Sequence, residues 1–163
     1  MTSIGQQHQS GQQQFMSKSD IKSITSIYLI GSLRNEEIPE IAKALRSCNL
    51  DVFDDWYAAG PEADDYWKAY EERRGRNYKE ALSGYAARHV FDFDRYHLDR
   101  CDAALLAFPA GRSAGIELGY MAGRGKRTFI LLDRPDRWDV MVKFADDVFF
   151  DKEEMVEYFT NLR

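Results

Sequence analysis

Long apolar stretches, basic charge and targeting signals are all scarce in this sequence, and each scarcity excludes a class of protein. No run approaches the roughly 18 apolar residues that a membrane-spanning helix needs, and no secretory signal is recognisable at the N-terminus. We therefore expect a cytoplasmic protein without a membrane partner. The net charge is −5, whereas a nucleic-acid binder needs a basic face to neutralise phosphates. A nucleic-acid polymer is thus not expected as a partner, but a small ligand is compatible.

Cysteine and histidine are also rare, with two and three copies. Cys48 and Cys101 form no Cys-x-x-Cys pair and fall near predicted helix ends, so we expect both to be reduced, buried and structural. His8 lies in the N-terminal tail, and His89 and His97 have no Cys or His partner at ligand spacing. The sequence therefore predicts no metal site and no cofactor.

The chain is long enough for one core of ordinary size. Residues 1–20 are rich in glutamine and offer little to bury, so ordering them would cost backbone entropy without compensation. We predict a disordered Gln-rich tail over residues 1–20 and one α/β domain over residues 21–163.

Within that domain, short apolar runs alternate with segments of helical periodicity. Such alternation predicts a parallel sheet with right-handed crossovers. The expected architecture is a doubly wound, flavodoxin-like sheet of five parallel strands in the order 2-1-3-4-5, with an extra helical insertion after strand 2. The predicted strands are 24–30, 50–54, 103–108, 128–132 and 148–150; the predicted helices are 37–47, one bent or two separate helices over 62–100 with a break near Gly75, 114–122, 138–145, and a last one containing Met155 and Leu162.

In such a sheet, ligands bind at the carboxyl ends of the strands, where the winding reverses between strands 1 and 3. Two loops of small residues, each with one arginine, should face each other there. The first is Gly31-Ser32-Leu33-Arg34, and the second runs from Pro109 to Gly111-Arg112-Ser113, with Ser113 as the expected N-cap of the next helix.

Two carboxylates are candidates for chemistry at this crevice. Glu117 lies in the first two turns of the helix that leaves the second loop, where the helix dipole favours its ionised form. Asp94 shares an apolar stripe with Phe91, Leu98 and Cys101, and burial there should raise its pKa and make it a proton donor. An ionised acid beside a protonated one is the arrangement that glycosidic cleavage requires. On spacing alone, the simpler interpretation is preferred: Glu117 stabilises its own helix and Asp94 bonds backbone amides.

Other charged residues have plainer interpretations. Asp92 and Asp99 lie off the apolar stripe and should be surface acids paired with Arg95 or Arg100. The basic run of Arg73, Arg74 and Arg76 follows two glutamates at helical spacing, which indicates a solvated helix end.

Three segments resemble the nucleoside 2-deoxyribosyltransferase superfamily, including its branch of (deoxy)nucleoside 5′-monophosphate N-glycosidases. Residues 28–34, Tyr-Leu-Ile-Gly-Ser-Leu-Arg, look like the family's first strand and loop. Residues 115–120, Gly-Ile-Glu-Leu-Gly-Tyr, look like its nucleophile segment, and Asp94 with Asp102 matches its paired-aspartate spacing. The resemblance covers roughly residues 25–133.

The resemblance implies a retaining mechanism in which Glu117 attacks the sugar C1′ and Asp94 assists departure of the base. Tyr28 matches the family's active-site tyrosine, which would orient the carboxylate; otherwise it is a core residue. The partner would be a small nucleoside or nucleotide, and a homodimer or larger homo-oligomer is expected. A phosphate cradle would come from Ser32, Arg34, Arg112 and Ser113, with Gly31, Leu33, Gly111, Asp55 and Trp56 as further substrate-binding residues.

Two departures from the family bear on the substrate. The second loop lacks the extra aspartate of many transferases, which favours hydrolysis of a (deoxy)nucleoside 5′-monophosphate over base exchange. The aromatic and charged stretch from Trp56 to Tyr85 has no family counterpart, and its Tyr57, Tyr66 and Trp67 would form either a base-stacking lid or ordinary helix packing. The alternatives are a 2-deoxyribosyltransferase, an NAD glycohydrolase and a non-catalytic nucleotide sensor.

Overall fold

Five parallel strands form one sheet in the order β2-β1-β3-β4-β5, which confirms the predicted doubly wound fold. The computed structural model describes residues 23–132 and 138–162, so the tail predicted over residues 1–20 lies outside the described residues. The strands are β1 Ser26–Ile30, β2 Asp51–Phe53, β3 Ala103–Ala107, β4 Arg127–Leu131 and β5 Asp147–Phe149.

Alternation along β1 decides which side chains face which layer of helices. Ile27 and Leu29 belong to the core cluster on one face of the sheet, whereas Tyr28 and Ile30 belong to the cluster on the other. The central strand β3 is buried along its whole length, as its unbroken apolar run predicted. Tyr28 therefore points into the helical layer opposite that of Ile27 and Leu29.

Helices cover both faces of the sheet. Helices α1 and α6 pack on the face of Ile27, and helices α4 and α5 on the face of Tyr28. Helices α2 and α3 form the insertion that was predicted after the second strand. The bounds are α1 Ile38–Ser47, α2 Ala63–Arg73, α3 Tyr78–Leu82, α4 Tyr85–Arg100, α5 Arg112–Gly123 and α6 Lys152–Asn161.

The segment 62–100 contains three helices rather than one or two. Gly75 has a φ of 72°, a left-handed conformation that ends α2 as expected, and Gly84 separates α3 from α4. Asn77 starts α3 with a reciprocal capping box to Glu80, a local signal that the periodicity argument did not use.

Two local predictions were wrong. The helix expected over 138–145 is only a 3-10 turn, Val140–Phe144, because its large apolar side chains are exposed and lack the core contacts that would hold an α-helix. Helix α5 begins at Arg112 with Gly111 as its N-cap, so Ser113 is not the cap.

The insertion contains a buried ion pair where a solvated helix end was expected. Glu71 is 1% exposed and pairs with Arg76, which the chain brings back after the turn at Gly75. Arg73 and Arg74 are exposed as predicted. A paired buried charge fixes the arrangement of α2 and α3, since removal of one partner leaves the other uncompensated.

Both cysteines are free and buried, which confirms that prediction. Over residues 23–132 and 138–162, no helix combines the length and apolarity needed to cross a membrane.

Candidate active site

Tyr28 of β1 and Asp94 of α4 meet at the side of the sheet that α4 covers. Tyr28 is buried, and its hydroxyl donates a hydrogen bond to the Asp94 carboxylate. Asp94 lies on the inward stripe of α4 together with Leu98 and Cys101, which are both buried. The stripe argument therefore located an inward-facing carboxylate correctly.

Glu117 comes to the same place from α5. Its charge and that of Asp94 both raise the pKa of Tyr28, after the larger effect of burial, so the three groups lie close together. The pKa of Tyr28 is held far above its ordinary value, and the tyrosine is a permanent hydrogen-bond donor here. The structure thus brings together the three residues that the resemblance implied.

The two carboxyl groups both have raised pKa values. Burial raises the pKa of Glu117 to about 7, and the negative charge of Asp94 adds to this effect. Burial also raises the pKa of Asp94, but the hydrogen bond from Tyr28 opposes the rise because it stabilises the ionised form. Glu117 was expected to be ionised because it lies near a helix start, yet desolvation outweighs any contribution of the helix dipole.

Glu117 and Asp94 influence each other's ionisation, so their protonation is described for the pair as a whole and not residue by residue. Tyr28 favours the ionised form of Asp94, whereas burial and the charge of Asp94 favour the protonated form of Glu117. The raised pKa of Asp94 agrees in direction with the expectation from its inward position. What the arrangement supplies is two half-buried carboxyl groups that can exchange the roles of acid and base.

The loop after β1 shows why glycine occupies position 31. A side-chain carbon there would lie 2.4 Å from the Ile38 Cδ1 atom and 3.4 Å from the Trp56 Cη2 atom. Ser32 accepts a hydrogen bond from the Arg34 amide at 3.1 Å, which shapes the turn, and Leu33 is half-buried. Gly31 is thus a packing residue at the floor of the crevice.

The Arg34 guanidinium is already paired. It donates to Asp65 of α2 at 2.8 Å, and both side chains are exposed. An exposed pair of this kind has little net stability, so an anionic ligand could compete for the arginine. The insertion thereby reaches the candidate phosphate cradle.

The second loop leaves the start of α5 open. Gly111, Arg112 and Ser113 are exposed, and no side chain caps the first turn of α5. Its free amide groups and the arginine are the kind of arrangement that binds an anion.

Trp56 replaces a missing strand contact. Strand β2 pairs with β1 only as far as Tyr28, and the Trp56 indole N–H then donates to the Leu29 carbonyl oxygen at 2.8 Å. The ring packs against core residues of both clusters, so it is an anchored wall of the crevice rather than a free lid. Asp55 beside it is exposed.

Of the other aromatic residues in the insertion, some are packed and some are exposed. Trp67 is half-buried and contacts the Tyr78 ring edge-on at 6.2 Å, whereas Tyr66 is exposed. The packing interpretation therefore fits Trp67.

Two acids have roles that the sequence did not reveal. Asp99 pairs with Arg124 at 3.3 Å and accepts a hydrogen bond from Tyr120 at 2.6 Å, so the predicted partners Arg95 and Arg100 were wrong. Tyr120 lies on α5 and Arg124 directly follows it, and spacing within α4 could not identify either partner. Asp102 accepts hydrogen bonds from Thr25 and Ser26 at the amino end of the sheet.

Asn35 is a residue near the crevice that sequence reasoning missed. It is buried beside the first loop, and its side-chain oxygen accepts a hydrogen bond from the Glu37 amide. Its amide nitrogen has no hydrogen-bond partner among the described residues. The only sequence signal is an asparagine just before a helix, which is also typical of an ordinary turn.

Three solved structures share this architecture. A CMP N-glycosidase of Clostridium botulinum is 11% identical, with a TM-score of 0.52 over 82% of this chain and 97% of that one. A 2-deoxyribosyltransferase of Bacillus psychrosaccharolyticus is 20% identical, with a TM-score of 0.57 over 85% and 96%. A conserved protein of Enterococcus faecalis V583 is 14% identical, with a TM-score of 0.57 over 85% and 98%.

No family model and no curated protein sequence matches the chain. The structural likeness extends over nearly the full length of each of these three proteins. The chain therefore has the fold of the 2-deoxyribosyltransferase and N-glycosidase structures, the fold that its motif resemblance implied.

Proposed function

We propose that this chain hydrolyses the N-glycosidic bond of a nucleoside or deoxynucleoside 5′-monophosphate, with Glu117 as the nucleophile. The observation that carries the proposal is the convergence of the half-buried Glu117 and Asp94 with the buried Tyr28, and the raised pKa values of the two carboxyl groups. Perturbed carboxyl groups in a cleft are characteristic of acid–base sites. Their fold context supports the same chemistry, since similar folds occur in a CMP N-glycosidase and a 2-deoxyribosyltransferase.

The first step breaks the bond between the base and C1′. The ionised Glu117 carboxylate forms an ester bond to C1′ as the bonding electron pair leaves with the base nitrogen. The proton of the carboxyl pair neutralises the base, with Asp94 as its donor. As positive charge develops at C1′, it favours the ionised form of Glu117. The proton of the carboxyl pair then resides on Asp94.

The second step releases the sugar phosphate. Asp94, now ionised, accepts a proton from water, whose oxygen bonds to C1′ while the ester bond to Glu117 breaks. Tyr28 donates to Asp94 throughout, and this holds the carboxylate in place and stabilises its ionised form. Atoms and charges balance, because the proton lost to the base is regained from water.

The phosphate of the substrate would bind between the two loops. The uncapped start of α5 provides amide donors, and Arg112 and Ser113 lie in its first turn. Arg34 faces this region from the other loop and would exchange Asp65 for the phosphate.

The decisive experiment measures free base after incubation with a panel of nucleosides, nucleoside monophosphates and NAD. We expect release from at least one 5′-monophosphate, at least about 1000-fold slower in Glu117→Gln. Circular dichroism would check that this variant is folded. Formation of a new nucleoside upon addition of a second base would show transfer instead of hydrolysis. Release of nicotinamide from NAD would indicate an NAD glycohydrolase. Binding without any product would indicate a sensor.

We also propose that the chain forms a homodimer or larger homo-oligomer. Support comes from the exposed apolar side chains of Trp138, Val140, Met141 and Phe144, which lie within seven consecutive residues. Sedimentation of the wild type and of Phe144→Asp would test this: we expect an oligomer that the charged variant dissociates, and a wild-type monomer would refute it.

A further inference from the structure

The inward stripe of α4 changes from buried to exposed along its length. Cys101 and Leu98 are buried, Asp94 is half-buried, and Phe91, one turn further toward the N-terminus, is 61% exposed. The sequence pattern predicted an apolar inward residue at position 91, and helical geometry gives Phe91 that direction although its ring is exposed. Because α4 ends where β3 begins, its earlier residues lie toward the carboxyl ends of the strands.

Phe91 also lies on the side of α4 that faces α5. Asp99, which contacts Tyr120 of α5 and Arg124 directly after it, marks that side of the helix. The opposite side is marked by Phe93 and His97, whose rings contact Phe53 of β2. At about 100° per residue, Phe91 falls between the direction of Asp94 and that of Asp99.

The two helices place Phe91 above the carboxyl pair. Both α4 and α5 run from the carboxyl end of the sheet toward its amino end, so their residues can be matched by level. Asp99 lies level with Tyr120 through their hydrogen bond. Glu117 is about one turn above Tyr120, and Phe91 is about one turn above Asp94. The Phe91 ring therefore borders the crevice on its open side.

One face of that ring is already covered. The Arg95 guanidinium lies over the Phe91 ring, 5.6 Å from its centroid. Arg95 is further from the Asp94 direction than Phe91 is, so the guanidinium approaches the ring from the side away from Asp94.

We propose that Phe91, backed by Arg95, is the stacking platform for the nucleobase of the substrate. This assignment rests on the proposed function, since it gives the leaving group a binding surface directly above the carboxyl pair. A flat aromatic base fits an apolar ring whose other face carries a cation, and such stacking tolerates any base. The phosphate, held by the two loops, and the base, held by Phe91, would then span the reacting C1′.

The test uses Glu117→Gln as a parent that binds without turnover. Calorimetry with CMP, AMP, dCMP and dAMP, and with ribose 5-phosphate as a probe without a base, compares this parent with its Phe91→Ala derivative. We expect Phe91→Ala to weaken mononucleotide binding by about 10-fold or more and ribose 5-phosphate binding by less than about 2-fold. Phe91→Trp should keep mononucleotide affinity.

The chain provides a matched control on the same helix. Tyr85 is 87% exposed, and the guanidinium of Arg88 lies 5.8 Å from its ring centroid, but it points away from the crevice. Tyr85→Ala should leave the affinity for both probes unchanged. Equal weakening by Tyr85→Ala and Phe91→Ala would overturn the platform, as would mononucleotide affinity unaltered by Phe91→Ala.

The two proposals fail in different ways. If wild type releases base from a monophosphate, Phe91→Ala alone cleaves it like wild type, and the Glu117→Gln/Phe91→Ala double variant binds it like its parent, the platform is wrong and the proposed function stands. If wild type releases no base and the Glu117→Gln chain binds none of the mononucleotides, the proposed function fails and the platform with it.

Discussion

The two ends of the sheet use acidic residues in opposite ways. At the amino end, Asp102 accepts hydrogen bonds from Thr25 and Ser26, and Asp146 accepts from Arg127 and the Thr128 amide. At the carboxyl end, Asp94 and Glu117 are half-buried near each other and their pKa values are raised. The acids at the amino end stabilise strands, whereas those at the carboxyl end are held in an environment that disfavours their charge.

A sizeable cleft lies at the opposite end of the sheet from the carboxyl pair. It measures about 810 Å³, lies at the amino end and is lined by Asp102, Lys126 and Asp146, among others. Lys126 there donates to backbone carbonyls at the end of α4, including that of Leu98 at 2.9 Å. These polar groups are already satisfied by the protein, so they offer a ligand little. Chemistry is better indicated by uncompensated charge than by volume.

The largest expected effect is a contrast between two substitutions: one at Asp94 should lower activity, and one at Asp102 should lower stability. Asp94→Asn should slow base release by about 10²–10⁴-fold, because the amide cannot donate or accept the transferred proton, with little loss of stability. Asp102→Ala should lower the free energy of unfolding by about 2 kcal/mol, because the Thr25 and Ser26 amides lose their acceptor, but retain activity per folded molecule. Urea denaturation and initial rates on both variants check this, and the reverse pattern would contradict the assignment of the two ends.

The sequence accounts for the fold and for the direction of Asp94 because both depend on periodicity. Alternating apolar runs specify buried parallel strands, and one stripe on α4 specifies an inward carboxylate. The partner of Asp99 and the buried pair of Glu71 with Arg76 could not be predicted, since helices distant in sequence or a returning turn supply the partners.

The raised pKa of Glu117 could not be predicted for a related reason. Its position near a helix start is a local property and favours the ionised form, whereas its burial arises from α4 and β1 packing around it. Desolvation is the larger effect. Sequence position therefore located the residue but not its charge.

The second prediction concerns the cost of burying Glu117. An acid whose pKa is raised in the folded state destabilises the protein as pH rises from its unfolded value, 4.5, to its folded value, about 7. Glu117→Gln removes that cost, so it should raise the free energy of unfolding by up to about 3 kcal/mol above pH 7 and have little effect below pH 4.5. Chemical denaturation at pH 4.5, 6 and 8 measures this, and an advantage independent of pH would show that Glu117 is not desolvated.

The third prediction tests whether packing also matters at the carboxyl end. Gly31→Ala forces a carbon against Ile38, which is fully buried and can yield only by changing rotamer. We expect a loss of about 1–2 kcal/mol in unfolding free energy and a rise in KM as the loop shifts. Gly111→Ala is the matched control, because a side-chain carbon there meets no atom within 4 Å. Equal effects of the two substitutions on stability would argue against the close packing at Gly31.

The smallest expected effect lies at the edge of the functional end, where Asp65 holds Arg34. Because the pair is exposed, Asp65→Asn should change the free energy of unfolding by less than about 1 kcal/mol. It should also free Arg34 for the substrate phosphate, lowering KM for a 5′-monophosphate by a few-fold while leaving KM for the nucleoside unchanged. Glu72→Gln is the control, since its exposed partner Lys68 lies within α2 itself. If Asp65→Asn alters KM for the two substrates equally, Arg34 does not bind the phosphate. The charges that act on the substrate would then lie closer to Glu117 than the first loop does.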